Sequence, residues 1–270
     1  CASLRLQTYQ NLQIIFVLDR CTDRTKEILQ KHVDEDPRVS YIENKSCPDD
    51  WAGKCNAAKV GAQQATGNWL LFTDADTKFD SELVRYSIAS ATKRGAALLS
   101  LLSSLTTSNG FEKIAQPVAS IFLVRQYPVD KINREHNPKP FANGQFLLFQ
   151  RDAYESIGGH DAVSEALLED IAFARAIHKA GHRVQVLFAD GMLRCSMYPT
   201  FEAFQNGWKR IFIEASNRNV TRLRKSAILA SLLNIVMPAT SIAGIFVGIQ
   251  TSQLLLVTSI AAIIGYFFNL

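Results

Sequence analysis

The chain has 270 residues, 47% of them hydrophobic, and a formal net charge of +4. That length supports one large domain or two modest ones. The basic residues are scattered without interleaved aromatics, which argues against a nucleic-acid surface, and five cysteines without a Cys-x-x-Cys pair argue against a disulfide framework or a structural zinc site.

The distribution of charge is more informative than its total. Residues 226–270 contain no Asp, Glu, Lys, Arg or His, so a mixed body is followed by an uncharged apolar tail. The odd cysteine count suits a reducing compartment for the body. Residues 1–10 read as the end of a helix leading to a strand, and a first strand, with an anchor before it, is expected to precede them.

In chain order, residues 13–18 predict a strand, followed by the polar loop Asp19 to Thr25 and a helix to about Lys31, with Thr22 or Asp23 as its N-cap. Residues 38–42 are a second short strand. This β–loop–α–β order predicts a parallel sheet with right-handed crossovers. A turn-rich loop, 47–54, precedes a helix over about 55–65, with Gly67 placed to stop it in the left-handed conformation. Residues 69–72 form an apolar run that reads as a buried strand. It ends in Thr73-Asp74-Ala75-Asp76. Alternate residues of an extended chain point the same way, so Asp74 and Asp76 face one site. Two carboxylates there repel unless a cation joins them; Mg²⁺ or Mn²⁺ bridging to phosphates is the natural occupant.

A helix capped by Asp80 or Ser81 ends near Arg94 at Gly95, and 96–102 is again strand-like. Residues 111–126 suit a helix interrupted by Pro117, 133–140 a loop, and 144–149 a strand. Residues 165–180 form an amphipathic helix closed by Gly181, with Glu169 and Asp170 at its middle; 183–188 is a strand. Residues 201–217 are amphipathic and suited to lie on a bilayer. In the tail, the 23 uncharged residues 227–249 would span roughly 30 Å of hydrocarbon at about 1.5 Å per residue. Residues 254–268 begin a second run. Arg218, Arg222, Arg224 and Lys225 precede the tail and put the body on the cytosolic side. The division expected is 1–220 for the catalytic body and 221–270 for one full and one truncated transmembrane helix.

Four groups in this order carry a resemblance: Asp19-x-Cys21-x-Asp23-x-Thr25, Trp51-Ala-Gly-Lys-Cys-Asn-Ala-Ala, Thr-Asp-Ala-Asp at 73–76, and Leu168-Glu-Asp-Ile-Ala-Phe-Ala-Arg. Together they resemble the family 2 glycosyltransferases of GT-A fold, over about residues 2–220. With the tail, the chain is similar to lipid-directed members such as the ceramide glucosyltransferase-like and the hopanoid- or carotenoid-associated enzymes. The resemblance implies a Rossmann-like, mostly parallel α/β sheet with flanking helices and C-terminal transmembrane helices. It implies an inverting, metal-dependent transfer from a nucleotide-diphosphate sugar to a lipid hydroxyl, and a membrane location. Asp19, Asp23, Lys54, Asn56, Asp74, Glu169 and Arg210 would bind the donor. Asp76, with Asp74, would hold the Mg²⁺ or Mn²⁺ that neutralises the leaving diphosphate. Asp170 would be the general base. Asn143, Gly144, Gln145 and Trp208 would meet the acceptor, Trp208 equally serving as an anchor at the membrane interface. Gln205-Asn-Gly-Trp208-Lys-Arg210 departs from the Gln-x-x-Arg-Trp motif of processive members. A processive polysaccharide synthase and a non-catalytic nucleotide-sugar-binding scaffold are the rival readings. His160, His178 and His182 are read as surface or hydrogen-bonding residues rather than metal ligands.

Overall fold

The computed structural model describes residues 1–106, 110–136, 138–216 and 218–268. The expected helix end at Asn217 lies outside them, as does Asn137 of the expected loop. A short helix, α1 (Ala2–Arg5), leads to β1 (Ile14–Asp19), whose branched and aromatic side chains suit a pleated surface. Helix α2 (Thr25–Glu35) carries the chain to β2 (Val39–Asn44), parallel to β1 with Asp19 opposite Asn44. This is the crossover that the spacing predicts.

Helix α3 (Gly53–Gln64) and strands β3 (Trp69–Phe72) and β4 (Thr77–Phe79) follow. Gly67 is not among the left-handed glycines; α3 ends at Ala65 in an extended conformation. The Gln13 side chain takes the Thr66 amide at 3.0 Å and draws the chain straight toward β3. Helix α4 (Leu83–Arg94) does end as expected, at Gly95 with φ 60°, where a side chain would be strained.

Next come β5 (Leu98–Leu102), β6 (Ser104–Leu105), α5 (Gly110–Gln126), α6 (Val129–Ile132), β7 (Leu147–Gln150), α7 (Arg151–Ser156), α8 (Glu169–Lys179), β8 (Val184–Phe188), β9 (Leu193–Cys195) and α9 (Phe201–Ala215). Pro117 does not end α5; the missing amide removes one bond from a 17-residue helix. The expectation of a mostly parallel sheet is corrected: the larger sheet is mixed, in the order β3-β7-β5-β8. Strand β7 enters between β3 and β5 and runs antiparallel to both, while β5 and β8 are parallel. An apolar run has no intrinsic direction, so only the return path through α5 and α6 could set it.

Period-two alternation then gives this sheet two buried faces. Leu98, Leu147 and Phe149 join Phe173 and Ile177 of α8 in one cluster. Leu99, Leu101 and Leu148 join Leu83, Val84 and Ala91 of α4 in the other. Helices on both sides of a sheet are the α/β layering that the sequence predicts.

Helix α8 is shorter than expected. It begins at Glu169, because the first helical bond runs from the Ala172 amide to the Leu168 carbonyl at 3.3 Å. Residues Gly159–Val163 form a separate 3-10 turn upstream. Glu169 and Asp170 therefore sit on the first turn, not mid-helix, where free amides and the helix dipole favour carboxylates.

Contacts divide the chain into two units, Cys1–Ile211 and Phe212–Leu270. In the second, α10 (Val220–Ser231) passes through a π-turn at Leu232–Val236 into α11 (Met237–Thr251), and an extended Ser252 separates α12 (Gln253–Phe268). No helix among the described residues is long and apolar enough to cross a membrane. This corrects the expectation of one full span over 227–249 and a second begun behind it. A π-turn just before Pro238 interrupts the α-helical bonding without leaving the helical backbone, and the chain breaks at the extended Ser252 within the polar stretch 250–253. The 15 residues of α11 reach about 22 Å, short of a roughly 30 Å hydrocarbon layer.

Candidate functional site

Parallel strands of an α/β fold present their carboxyl ends to ligands, and the acidic residues gather there. Asp19 closes β1. Asn44, closing β2, donates its amide to Asp19 Oδ1 at 2.9 Å. Arg20 turns back in a left-handed conformation (φ 53°) and sets Nη2 2.7 Å from Asp19 Oδ2. Gly53, the first residue of α3, faces this pair. A Cβ there would lie 2.8 Å from Arg20 Nη2, so a larger residue would push the half-exposed Arg20 side chain away from Asp19.

The next residue, Lys54, is the hub. Its Nζ lies 2.6 Å from Asp74 Oδ1 and 2.5 Å from Glu169 Oε1. Burial opposes the ammonium charge, but Glu169 and Asp74 outweigh it and hold the group above the ordinary lysine value. Glu169, 7% exposed, is a charge that folding tolerates because Lys54 faces it.

Gly144 lies at the centre. Its amide donates to Asp170 Oδ2 at 2.7 Å, and the Ile171 amide donates to Oδ1 at 2.7 Å. A Cβ on Gly144 would lie 3.2 Å from both Asp170 Oδ2 and Lys54 Nζ, and 3.4 Å from Glu169 Oε1. Burial, then the Glu169 charge, push the Asp170 carboxyl up to about 7, while Lys54 and the two amides pull the other way. The result is a carboxylate fixed by two backbone donors, with lone pairs left over, and more basic than an ordinary aspartate.

Asp74 and Asp76 follow β3. Thr77 Oγ1 donates to the Asp74 carbonyl at 2.7 Å, and Thr73 Oγ1 to the Gln145 carbonyl at 2.8 Å, so the turn is held on both sides. Partial burial and the Asp74 charge raise the Asp76 carboxyl, and the Cys195 thiol opposes this by donating to it. Cys195 lies opposite Thr77 in the pairing of β9 with β4. The sequence marks it only as one more small hydrophobe, because the strand pairing that brings it to Asp76 crosses more than a hundred residues. Asn44 likewise reaches Asp19 only through strand pairing, that of β1 with β2. Arg210, exposed on α9, acts through its charge on the Tyr198 hydroxyl, which also feels Asp76.

Other sequence candidates turn out to be committed to internal bonds. Asp23 Oδ1 accepts the Thr25 amide at 3.0 Å and shapes the entry to α2. Asn56 is buried and ties α3 to the Ser46 carbonyl at 3.0 Å. Asn143 donates to Leu101 O at 3.2 Å and to Gln145 Oε1 at 3.1 Å, and Ser103 also donates to Gln145. These two side chains position Gly144 between them. Trp208 is buried and donates its indole N–H to Gln116 Oε1 at 3.2 Å. That burial corrects its expected place at a membrane interface. His160 is buried beside Tyr154 OH at 2.7 Å, and desolvation lowers it to about 3, which keeps it neutral.

Among the described residues no three His, Cys, Asp or Glu side chains converge into a ready metal cage. Asp74 and Asp76 still offer two hard oxygen donors, and Asp74 raises Asp76 by repulsion. A Mg²⁺ or Mn²⁺ ion held by one or two carboxylates takes its remaining ligands from phosphates and water, so these residues fit it. Asp74 also lines a cavity of about 610 Å³, together with Lys54, Gly144 and Glu169.

Among solved structures, the mannosyltransferase PcManGT from Pyrobaculum calidifontis, in complex with GDP-Man and Mn²⁺, is similar with a TM-score of 0.59 at 16% identity, covering 99% of this chain and 82% of that one. Residues 1–349 of TarS from S. aureus, in complex with UDP-GlcNAc, give 0.52 at 15% identity, covering 96% and 74%. These likenesses concern the fold, which is GT-A-like. Poly-beta-1,6-N-acetyl-D-glucosamine synthase of Staphylococcus aureus is 26% identical over 188 residues, 66% of this chain and 41% of its own length. The glycosyltransferase GlyA of Streptococcus pneumoniae is 33% identical over 82 residues, 30% of this chain and 11% of its own. The chain thus spans well under half of these curated relatives. The family model described as glycosyl transferase family 2 matches residues 1–158, more than half of the chain, and the chain belongs to that family.

Proposed function

We propose that this protein transfers a sugar from a nucleotide-diphosphate donor to a hydroxyl of a lipid or other membrane-associated acceptor, with inversion at the anomeric carbon. The observation that carries the reading is the meeting of Lys54, Asp74, Glu169 and Asp170 around the Gly144 backbone. Asp19, steadied by Asn44, accepts from the nucleotide base. Lys54 is already counter-charged by Asp74 and Glu169, and it turns to the diphosphate when the donor arrives. Asp74 and Asp76 would hold Mg²⁺ or Mn²⁺, which supplies positive charge to the leaving diphosphate. PcManGT carries Mn²⁺ in its solved complex, which favours this assignment.

Asp170 takes the proton from the acceptor hydroxyl as that oxygen attacks. Its two backbone donors fix the carboxylate's direction, and its raised basicity matches it to proton transfer near neutrality. The buried Glu169 keeps Lys54 aimed and contacts the donor sugar. Arg210 approaches from α9 toward the diphosphate. A membrane acceptor is favoured by the charge-free segment 226–270 and by the basic residues just before it, which an anionic headgroup surface attracts.

Processive polymer synthesis is the second reading, favoured by the match to the poly-N-acetylglucosamine synthase. Against it, Trp208 stands where the processive motif has Arg, and its indole is occupied by Gln116. The test is incubation of membranes containing the protein with a panel of labelled nucleotide sugars, with and without Mn²⁺, followed by lipid extraction. One label per lipid supports single transfer; a ladder of lengths supports the polymer; label in neither fraction with any donor sinks both.

A further inference from the structure

His160 is a buried histidine for which the transfer reaction has so far no use. It is 2% exposed and stands in the 3-10 turn Gly159–Val163, between α7 and α8. Its ring is wedged between the two elements that carry the acidic residues. Phe72, just before Thr73 and Asp74, meets it edge-on with centroids 4.7 Å apart, and Phe173, on the same helix as Glu169, does so at 4.8 Å. The hydrogen bonds around the ring assign its proton. The Tyr154 hydroxyl accepts from the His160 amide at 3.2 Å, so its own hydrogen is directed to Nδ1, 2.7 Å away. Nδ1 is therefore the acceptor of a neutral imidazole, and Nε2 carries the hydrogen. Among the described residues nothing accepts from Nε2–H. A buried donor left without a partner is destabilising and calls for an explanation. His160 lines the same cavity of about 610 Å³ as Lys54, Asp74, Gly144 and Glu169, and the Lys54 charge is close enough to bear on its ring.

We infer that His160 is a specificity-determining residue of the donor site, whose Nε2–H takes an oxygen of the donor's sugar. The inference rests on the transfer reading above and deepens it by naming a contact to the sugar rather than to the nucleotide. A neutral N–H suits a hydroxyl or carbonyl oxygen, whereas a diphosphate is met more strongly by the charge of Lys54. Glu169 opens on the same cavity, so a sugar there meets an acceptor and a donor together. Phe72 also lines the cavity and offers an apolar surface to the C–H groups of a sugar ring. A site built to hydrogen-bond a substrate oxygen rejects an analogue that lacks it, because the buried donor then stays unpaired.

The test is calorimetric binding by the full chain, with Mn²⁺, of UDP-GlcNAc, GDP-mannose and the other donors of the panel above, each against its own nucleoside diphosphate. His160→Phe keeps an aromatic ring and removes the donor. It should weaken the preferred nucleotide sugar about tenfold, the scale of one buried hydrogen bond, and leave the diphosphate unchanged. His160→Gln, whose amide nitrogen can stand where Nε2 does, should recover most of that loss. In the parent chain, nitrogen NMR of labelled histidine should show the Nε2–H tautomer, with a signal that moves on adding the nucleotide sugar and not the diphosphate; this readout needs no variant to fold. Equal loss of sugar nucleotide and diphosphate in His160→Phe, no loss of either, or a Gln variant as weak as the Phe variant overturns the inference, since a ring that only fills space would behave so. An unmoved histidine signal overturns it as well. A parent chain that binds no donor and no diphosphate removes the transfer reading itself, whereas normal donor binding with His160 unaffected removes this inference alone.

Discussion

The strand-end cluster of the first unit and the helical pair of the second bury opposite things. In the first, Leu98, Phe149 and Phe173 are fully enclosed, Glu169 is buried where it faces Lys54, and Asp170 accepts from the Gly144 amide. In the second, serine and glycine are enclosed and phenylalanine and leucine face out. The two units therefore bury opposite chemistry. A buried charge marks a site where water is displaced by something specific. An exposed apolar surface of this extent marks a place where water is not the expected neighbour.

Substitutions can break the comparison from the charged side first. Asp170→Asn should keep donor binding and reduce transfer about a thousandfold, since a positioned base contributes roughly 10²–10⁴; single-turnover assays with labelled donor would read it, and near-normal turnover would remove the base assignment. In the parent enzyme the reactive carboxylate form accumulates as pH rises, so the rate should climb through about 7, the value to which burial raises Asp170. Asp76→Ala should cost about a hundredfold in Mn²⁺-dependent donor affinity by titration calorimetry, since loss of even an outer-shell partner of a metal commonly costs roughly 10–100-fold; unchanged affinity would place the ion elsewhere.

Lys54→Met tests whether the cluster is built on paired charge. It leaves the buried Glu169 without its cation. With Lys54 itself 53% exposed, the discounted cost should be about 1–2 kcal/mol in chemical denaturation. Because the Lys54 charge lowers Asp170, its loss should also move the rise in rate to higher pH; a profile that stays in place would separate Lys54 from the base. The smallest effect is expected at Trp208→Phe, which keeps the ring among Phe204 and its neighbours but removes the bond to Gln116, for about 1 kcal/mol. A large loss of transfer without a loss of stability would return Trp208 to the acceptor site.

Much of the first unit was legible residue by residue. The apolar run at 69–72 reads as a strand, and β3 spans those four residues. Gly95 and Gly181 announce helix ends through the left-handed backbone they permit, and both adopt it. Glu169 and Asp170 were legible as an acidic pair but not as a helix start, since the apolar periodicity of α8 continues into the turn before it. The tail was legible as apolar and uncharged; the π-turn and the extended Ser252 were not, because side-chain hydropathy is blind to backbone breaks.

The sequence alone determined which residues carry charge, where the strands end, and that the last 45 positions hold none, because these follow from local chemistry and spacing. The tertiary structure alone decided that Lys54 answers both Asp74 and Glu169, that Gly144 supplies the amide to Asp170, that Cys195 reaches Asp76, and that the tail turns its apolar side outward. The reason is separation along the chain. Each of those contacts is set by how strands and helices cross over one another, and a linear pattern carries no information about which of two distant groups will be brought to the same point.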